Sequence, residues 1–144
     1  DRQQLFTWVS EQAMREIYLK PFEIAVKDGG CLGIMSSFNY IGTEWAGANS
    51  ALLNNVLRNE WGFQGVVVSD ASAYSYMSPV AGIYGGQDAD LDIAGALTGT
   101  YGQRAKLEEA AKDTSRQIGF TKNLFQACKN ICYAVAQTWP VAGK

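Results

Sequence analysis

The run Gly65-Val66-Val67-Val68-Ser69-Asp70 constrains the fold most. Three consecutive valines, entered through Gly62-Phe63-Gln64-Gly65, predict a strand buried on both faces, as in a parallel sheet. The strand ends on a carboxylate. The carboxyl end of a parallel strand is where α/β proteins place their chemistry. Asp70 there can act as a nucleophile in glycosyl or phosphoryl transfer, or it can cap the next helix.

The remaining periodicities fit repeated βα units. Met14, Ile17, Tyr18, Phe22, Ala25 and Val26 have helical spacing over 12–27, interrupted by Pro21 and stopped by Gly29-Gly30. Residues 32–36 predict a short strand, followed by a Gly- and Asn-rich loop. Asn49 or Ser50 predicts the cap of a helix with an apolar face of Leu52, Leu53, Val56 and Leu57, closing near Trp61-Gly62. A short helix is expected over 79–84, broken by Gly85-Gly86, and a third strand over 89–93. Two helices, 103–112 and 123–139, close the chain. The second carries the stripe Leu124, Phe125, Cys128, Ile131, Cys132, Val135 and Trp139. The expected fold class is α/β with parallel βα units. Three strands are too few to close a barrel, which takes about eight.

Composition narrows the function classes. At 144 residues and 47% hydrophobic the chain can build a core; a net charge of −2 offers no case for nucleic acid or an anionic membrane. No apolar run reaches the roughly 20 residues that cross a bilayer, and no signal peptide is legible. With no histidine and no Cys-x-x-Cys, a metal site and a Ser-His-Asp triad are not expected. Cys31, Cys128 and Cys132 are expected to be buried free thiols, which favours a reducing, cytoplasmic setting. Asp88, Asp90 and Asp92 alternate, so on a strand they would share one face. That face could take a hard cation, but strand-end solvation or local pairing is the favoured reading. Phe38, Tyr40, Trp45, Tyr74 and Tyr76 gather near the strand ends. They suit either sugar faces or packing under loops.

Several stretches together resemble glycoside hydrolase family 3, the β-glucosidase family. The segment Met14 to Gly30 resembles the helix before a late barrel strand. Gly33-Ile-Met-Ser-Ser-Phe-Asn39 resembles the family's Met-x-Ser-Tyr-Asn stretch. Leu53 to Asp70, with Leu57-Arg-Asn-Glu-Trp-Gly-Phe-Gln-Gly65, resembles its Leu-Arg-x-Glu-Trp-Gly-Phe-x-Gly-x-Val-x-Ser-Asp signature. Gly86 to Leu91 looks like the last barrel strand, and Lys129 to Ala136 like the trailing helix.

The resemblance implies the last three βα units of a (β/α)8 barrel plus closing helices. This is a single partial-barrel domain over 1–144, with the βα units in 1–100 and the trailing helices in 101–144. It implies a retaining β-glycosidase acting on β-linked glucosides or oligosaccharides, with no cofactor. Asp70 matches the nucleophile; Met35 and Phe38 match positions lining the sugar pocket, and Tyr74 is a further candidate there. Ala71 stands where the family often has Trp. Phe38 replaces the tyrosine that commonly bonds the nucleophile, a contact that Tyr74 or Tyr76 could supply instead.

No residue matches the family's Lys-His and arginine sugar contacts, or the α/β sandwich that supplies the acid/base carboxylate. The implied partners are a carbohydrate substrate, the rest of the barrel and that sandwich, with self-association another way to cover open edges. The chain alone is expected to be inactive. The competing readings are a non-catalytic α/β binding or assembly module and, less favoured because Ser72 replaces a second aspartate, a phospho-acceptor.

Overall fold

A computed structural model describes residues 4–72, 74–99, 102–115 and 117–138. The chain is a mixed α/β fold with parallel pairing. After the strand β1 (Phe6–Thr7), Ser10 caps α1 (Glu11–Ala13), its Oγ accepting from Ala13 N–H. A wide π-type turn follows (Met14–Tyr18), marked by Leu19 N–H reaching back five residues to the Met14 carbonyl at 2.8 Å. The helix restarts as α2 (Lys20–Lys27), with Pro21 in its first turn, where the missing N–H costs nothing. The predicted interruption at Pro21 is therefore a junction of abutting helical segments.

β2 (Gly33–Met35) leads into a hairpin where the Gly- and Asn-rich composition predicts a loop. β3 (Tyr40–Ile41) and β4 (Glu44–Trp45) pair antiparallel, and β1 adds parallel to β3. Asn49 then caps a π-wound helix (Ala51–Glu60), its Oδ1 accepting from Leu52 N–H at 2.9 Å. Leu53 and Leu57 of this helix bury with Phe63 and Val67 into one core cluster, flanked by Val26, Ile34 and Trp61. Truncating either leucine to Ala would cost about 2–5 kcal/mol.

β5 (Val66–Ala71) is the middle strand of the main sheet, ordered β2-β5-β6 and parallel throughout. Gly65 opens it because a Cβ there would sit 2.2 Å from the Leu32 carbonyl oxygen. Val67 and Ser69 are fully buried, whereas Val66, Val68 and Asp70 alternate on the half-buried face. α3 (Pro79–Gly85) ends on Gly86, whose φ of 107° is a left-handed conformation that suits glycine. β6 (Ala89–Leu91) is followed by α4 (Ile93–Thr98), α5 (Gly102–Lys112) and α6 (Gln117–Ala136). Ile83, Ala110, Phe120 and Ala127 form the second core cluster.

Three expectations change here. The third strand stops at Leu91, because Asp92 caps α4 through Gly95 N–H at 2.8 Å; Ile93 is helical. α6 begins earlier than predicted, and it buries a different face. Phe120, Ala127 and Asn130 point inward with half-buried Leu124, while Phe125, Cys128, Cys132 and Val135 face outward. The apolar stripe is real, but what packs on α6 is α3, α5 and β5, which meet the other side. Trp139 lies outside the described residues. Of the three free thiols only Cys31 is partly covered; Cys128 and Cys132 are exposed, which overturns the expectation of buried cysteines.

Candidate active site

Asp70 stands at the carboxyl end of the central strand β5. It caps no helix: the next one, α3, is capped by Ser78, whose Oγ accepts from Ala81 N–H. Asp70 Oδ1 instead accepts from the Ala71 N–H at 2.7 Å, which orients the carboxylate within its own strand end. The side chain is half-buried, open enough to meet a ligand.

An aromatic group crowds the same end of the sheet. Phe38 and Tyr74 meet edge to face at 5.8 Å, and Tyr74 stacks on Tyr76 at 5.9 Å and 11°. Tyr76 also touches Tyr40 and Trp45. Two of these rings pin the segment after β2: Trp45 Nε1 donates to the Ser37 carbonyl at 2.9 Å, and Tyr76 Oη donates to the Phe38 carbonyl at 3.1 Å. The small β1-β3-β4 sheet braces that segment from outside, with Asn39 Nδ2 donating to Thr7 Oγ1 at 3.1 Å and Thr7 Oγ1 to the Tyr40 carbonyl. The Tyr76 proton is therefore directed at a backbone oxygen. The nucleophile contact that Phe38 lacks does not come from this hydroxyl. Burial raises the Tyr76 pKa, and the negative charge of Asp70 adds a smaller upward push.

The other candidates are placed unevenly. Met35 lies beside Val68 at the carboxyl end of β2 and is well exposed. It also lines an apolar cavity of about 310 Å³ with Tyr18, Phe22, Ile34, Leu53 and Trp61. Tyr74 lines a different hollow of about 260 Å³ with Ser72, Asp92, Gln103 and Lys106. Phe38 and Tyr74 thus come together, while Met35 and Tyr74 border separate spaces.

The three alternating aspartates do not share a face. Asp88 precedes β6 and is almost fully buried. Its Oδ2 takes Arg58 Nη2 at 2.6 Å and Val67 N–H at 2.7 Å, and its Oδ1 takes Asn130 Nδ2 at 2.8 Å. Burial pushes the Asp88 pKa up, with Val67, Asn130 and Arg58 pulling against it. Asp92 caps α4 and also accepts from Gln103 N–H at 3.2 Å. Asp90 alone sits within the strand, its Oδ2 on Ser72 Oγ at 2.7 Å. No group of three or more Cys, Asp or Glu able to hold a metal ion occurs among the described residues. Asp88 and Asp92 are thus paired locally, and Asp90 is paired through Oδ2. Sequence reasoning missed Arg58 and Asn130, which lie 30 and 42 residues from their partner and leave no local signal.

The fold and this sequence have well-matched relatives. β-Glucosidase B of Emericella nidulans is 50% identical over 62 residues, covering 43% of this chain and 7% of that one. A β-glucosidase of Rhizobium radiobacter is 50% identical over 70 residues, 49% of this chain and 9% of that one. The solved β-glucosidase 3B of Thermotoga neapolitana superimposes with a TM-score of 0.82 at 33% identity, covering 94% of this chain and 19% of its own. The chain therefore spans a small part of the length of the relatives it matches. Residues 3–91 match the family model described as the glycosyl hydrolase family 3 N terminal domain, and the chain belongs to that family.

Proposed function

We propose that this chain is the nucleophile-bearing part of a retaining β-glycosidase that hydrolyses β-linked glucosides or oligosaccharides. One observation carries the reading. Asp70 is a half-buried carboxylate at the carboxyl end of the central parallel strand, capping nothing and facing the open side with Val68. The β-glucosidase names of the relatives support the substrate class, as does the Thermotoga neapolitana enzyme solved in complex with glucose.

In this mechanism an Asp70 oxygen attacks the anomeric carbon as the bond to the leaving oxygen breaks. A second carboxylic acid, ~5–5.5 Å away across the bond, gives its proton to that oxygen. The same group then takes a proton from water, which attacks the anomeric carbon and frees Asp70. Phe38 and Tyr74 would border the sugar on one side and Met35 on the other.

The three βα units would be the closing part of a (β/α)8 barrel. β2 and β6 each pair on one side only among the described residues, and Ile17, Tyr18, Phe22 and Met35 stand exposed. Unpaired edges and apolar faces of this kind call for further strands and helices. The rest of the barrel and an α/β sandwich with the acid/base group would supply them, and the 144 residues alone would be inactive.

A 2-deoxy-2-fluoroglucoside with a good leaving group tests this in the longer protein. The expected result is one glycosyl mass added to the peptide holding Asp70. Label on another carboxylate, or full turnover by Asp70→Gly, would reject the assignment; the non-catalytic module would then stand.

A further inference from the structure

Asp70 sits inside an irregularity of the sheet. β5 and β6 pair at Val68↔Ala89 and again at Ala71↔Leu91. Three steps on β5 thus face two on β6, and the extra residue falls in the stretch holding Asp70. Bulges beside active sites re-aim a side chain, and they leave ladder groups unpaired.

Side chains take over those groups. Leu91 N–H donates to Ser69 Oγ at 2.8 Å, and Ser72 N–H to the Leu91 carbonyl at 2.8 Å. Ser72 Oγ lies 2.7 Å from Asp90 Oδ2 and 2.9 Å from the same carbonyl. Ser69 and Ser72, both essentially inaccessible, bracket Asp70 and fasten the strand end to β6. Asp90 Oδ1 is buried without a well-formed hydrogen bond. Burial raises the pKa of this carboxyl while the Ser72 and Ser69 hydroxyls draw it down, and Asp92 and Lys106 are its other charged neighbours. A carboxylate held so is costly where an apolar side chain would pack. The bulge also frees the Ala71 N–H that Asp70 Oδ1 accepts.

We propose that Asp90 is a positioning residue for Asp70. Through Ser72 and Ser69 it holds the bulged end of β5 on β6, and so fixes the direction in which the Asp70 carboxylate leaves the sheet. The inference rests on the reading of Asp70 as nucleophile, which neither Asp90 nor the serines touch as reacting groups.

The test uses the longer protein and an aryl β-glucoside. Asp90→Ala should lower kcat about 10- to 100-fold, the scale of a misplacement near 1 Å, with KM changed less than about threefold. Asp90→Asn keeps an acceptor for Ser72 and should stay within about threefold of the parent kcat. Ser72→Ala should reproduce the same kcat-weighted loss, and its effect should not add to that of Asp90→Ala. Thermal unfolding identifies variants that fail to fold; if Asp90→Ala is one, Ser72→Ala decides alone. Folded variants with unchanged kcat, or a loss confined to KM, would overturn the proposal. Asp70→Gly, measured alongside, separates the two failures. If it is inactive and rescued by azide while the Asp90 and Ser72 variants are normal, only the positioning role falls. If Asp70→Gly remains active, the nucleophile reading falls with it.

Discussion

The two ends of β5 handle a carboxylate in opposite ways. At the entry, Asp88 is almost wholly buried and takes donors from Arg58, Asn130 and the Val67 backbone. At the exit, Asp70 is half-buried, and the neighbouring Ala71 N–H is the donor its oxygen takes. A saturated carboxylate is structural: its charge is fully occupied in joining the π-wound helix, β5, β6 and α6. One left open near an aromatic wall keeps lone pairs for a ligand. The difference sets an occupied carboxylate at one end of the strand and an open one at the other; on the proposed reading the open end carries the chemistry, the division expected of parallel α/β sheets.

The sharpest way to break that contrast is to remove each carboxylate's function in the longer protein. On the proposed mechanism Asp70→Gly should lower kcat by at least on the order of 10³-fold, since a two-step reaction has no substitute for its nucleophile. Its unfolding free energy should change by less than about 1 kcal/mol, because the half-buried side chain bonds the adjacent Ala71 N–H and, among the described residues, ties no other element. A large stability loss with near-normal turnover would make Asp70 structural and erase the contrast.

Arg58→Met should do the reverse. It leaves Asp88 as an uncompensated buried charge and also removes the bonds to the Gly65 and Gly86 carbonyls at 3.1 and 3.2 Å. A loss of about 3–5 kcal/mol is expected in urea unfolding, with turnover per folded molecule near normal. Loss of turnover without loss of stability would place Arg58 in the chemistry instead.

Much of this was legible in the chain, and the rest has a common reason for being hidden. The Val66–Val68 strand, the Asn49 cap and the glycine stop at Gly86 all rest on local rules: burial of a valine run, one side-chain acceptor, one positive φ. The β1-β3-β4 sheet was missed because its strands are two residues long and join Phe6–Thr7 to Tyr40–Ile41, far apart in sequence. The inward face of α6 was misread because its stripe reports apolar positions, and Asn130, polar but buried on Asp88, lies on the face that packs. At the candidate site, position and motif single out Asp70, and the structure sets it at the carboxyl end of β5. Asp90 was grouped wrongly with Asp88 and Asp92, since regular alternation takes no account of the bulge or of the early end of β6.

Titration sharpens the entry end further. Burial raises the Asp88 pKa in the folded chain above its ordinary value. Below the unfolded value both states are protonated. As pH rises, the unfolded chain ionises first, so stability falls until the folded carboxyl has also ionised. Relative to Asp88→Asn, the parent should therefore lose stability as pH rises through and above the ordinary carboxylate range, until the folded carboxyl has ionised. The readout is the urea midpoint across that range. A rise instead would mean that Arg58, Asn130 and Val67 together outweigh burial, a stronger structural pairing than the one described.

The smallest expected effect lies at the exit end, in Tyr76→Phe. The ring keeps its stacking on Tyr74 and its contacts with Tyr40 and Trp45, and loses the hydroxyl that donates to the Phe38 carbonyl. One such bond contributes about 1 kcal/mol. The Ser37 carbonyl remains held by Trp45 and Asn39 remains tied to Thr7, so the segment should loosen locally without unfolding. In the longer protein kcat/KM should fall severalfold, with most of the change in KM, because on the proposed reading the wall that moves borders the sugar while Asp70 stays on β5. An effect mainly on kcat would mean that the Phe38 segment controls Asp70 itself, and the open carboxylate would then be as braced as the one at the other end.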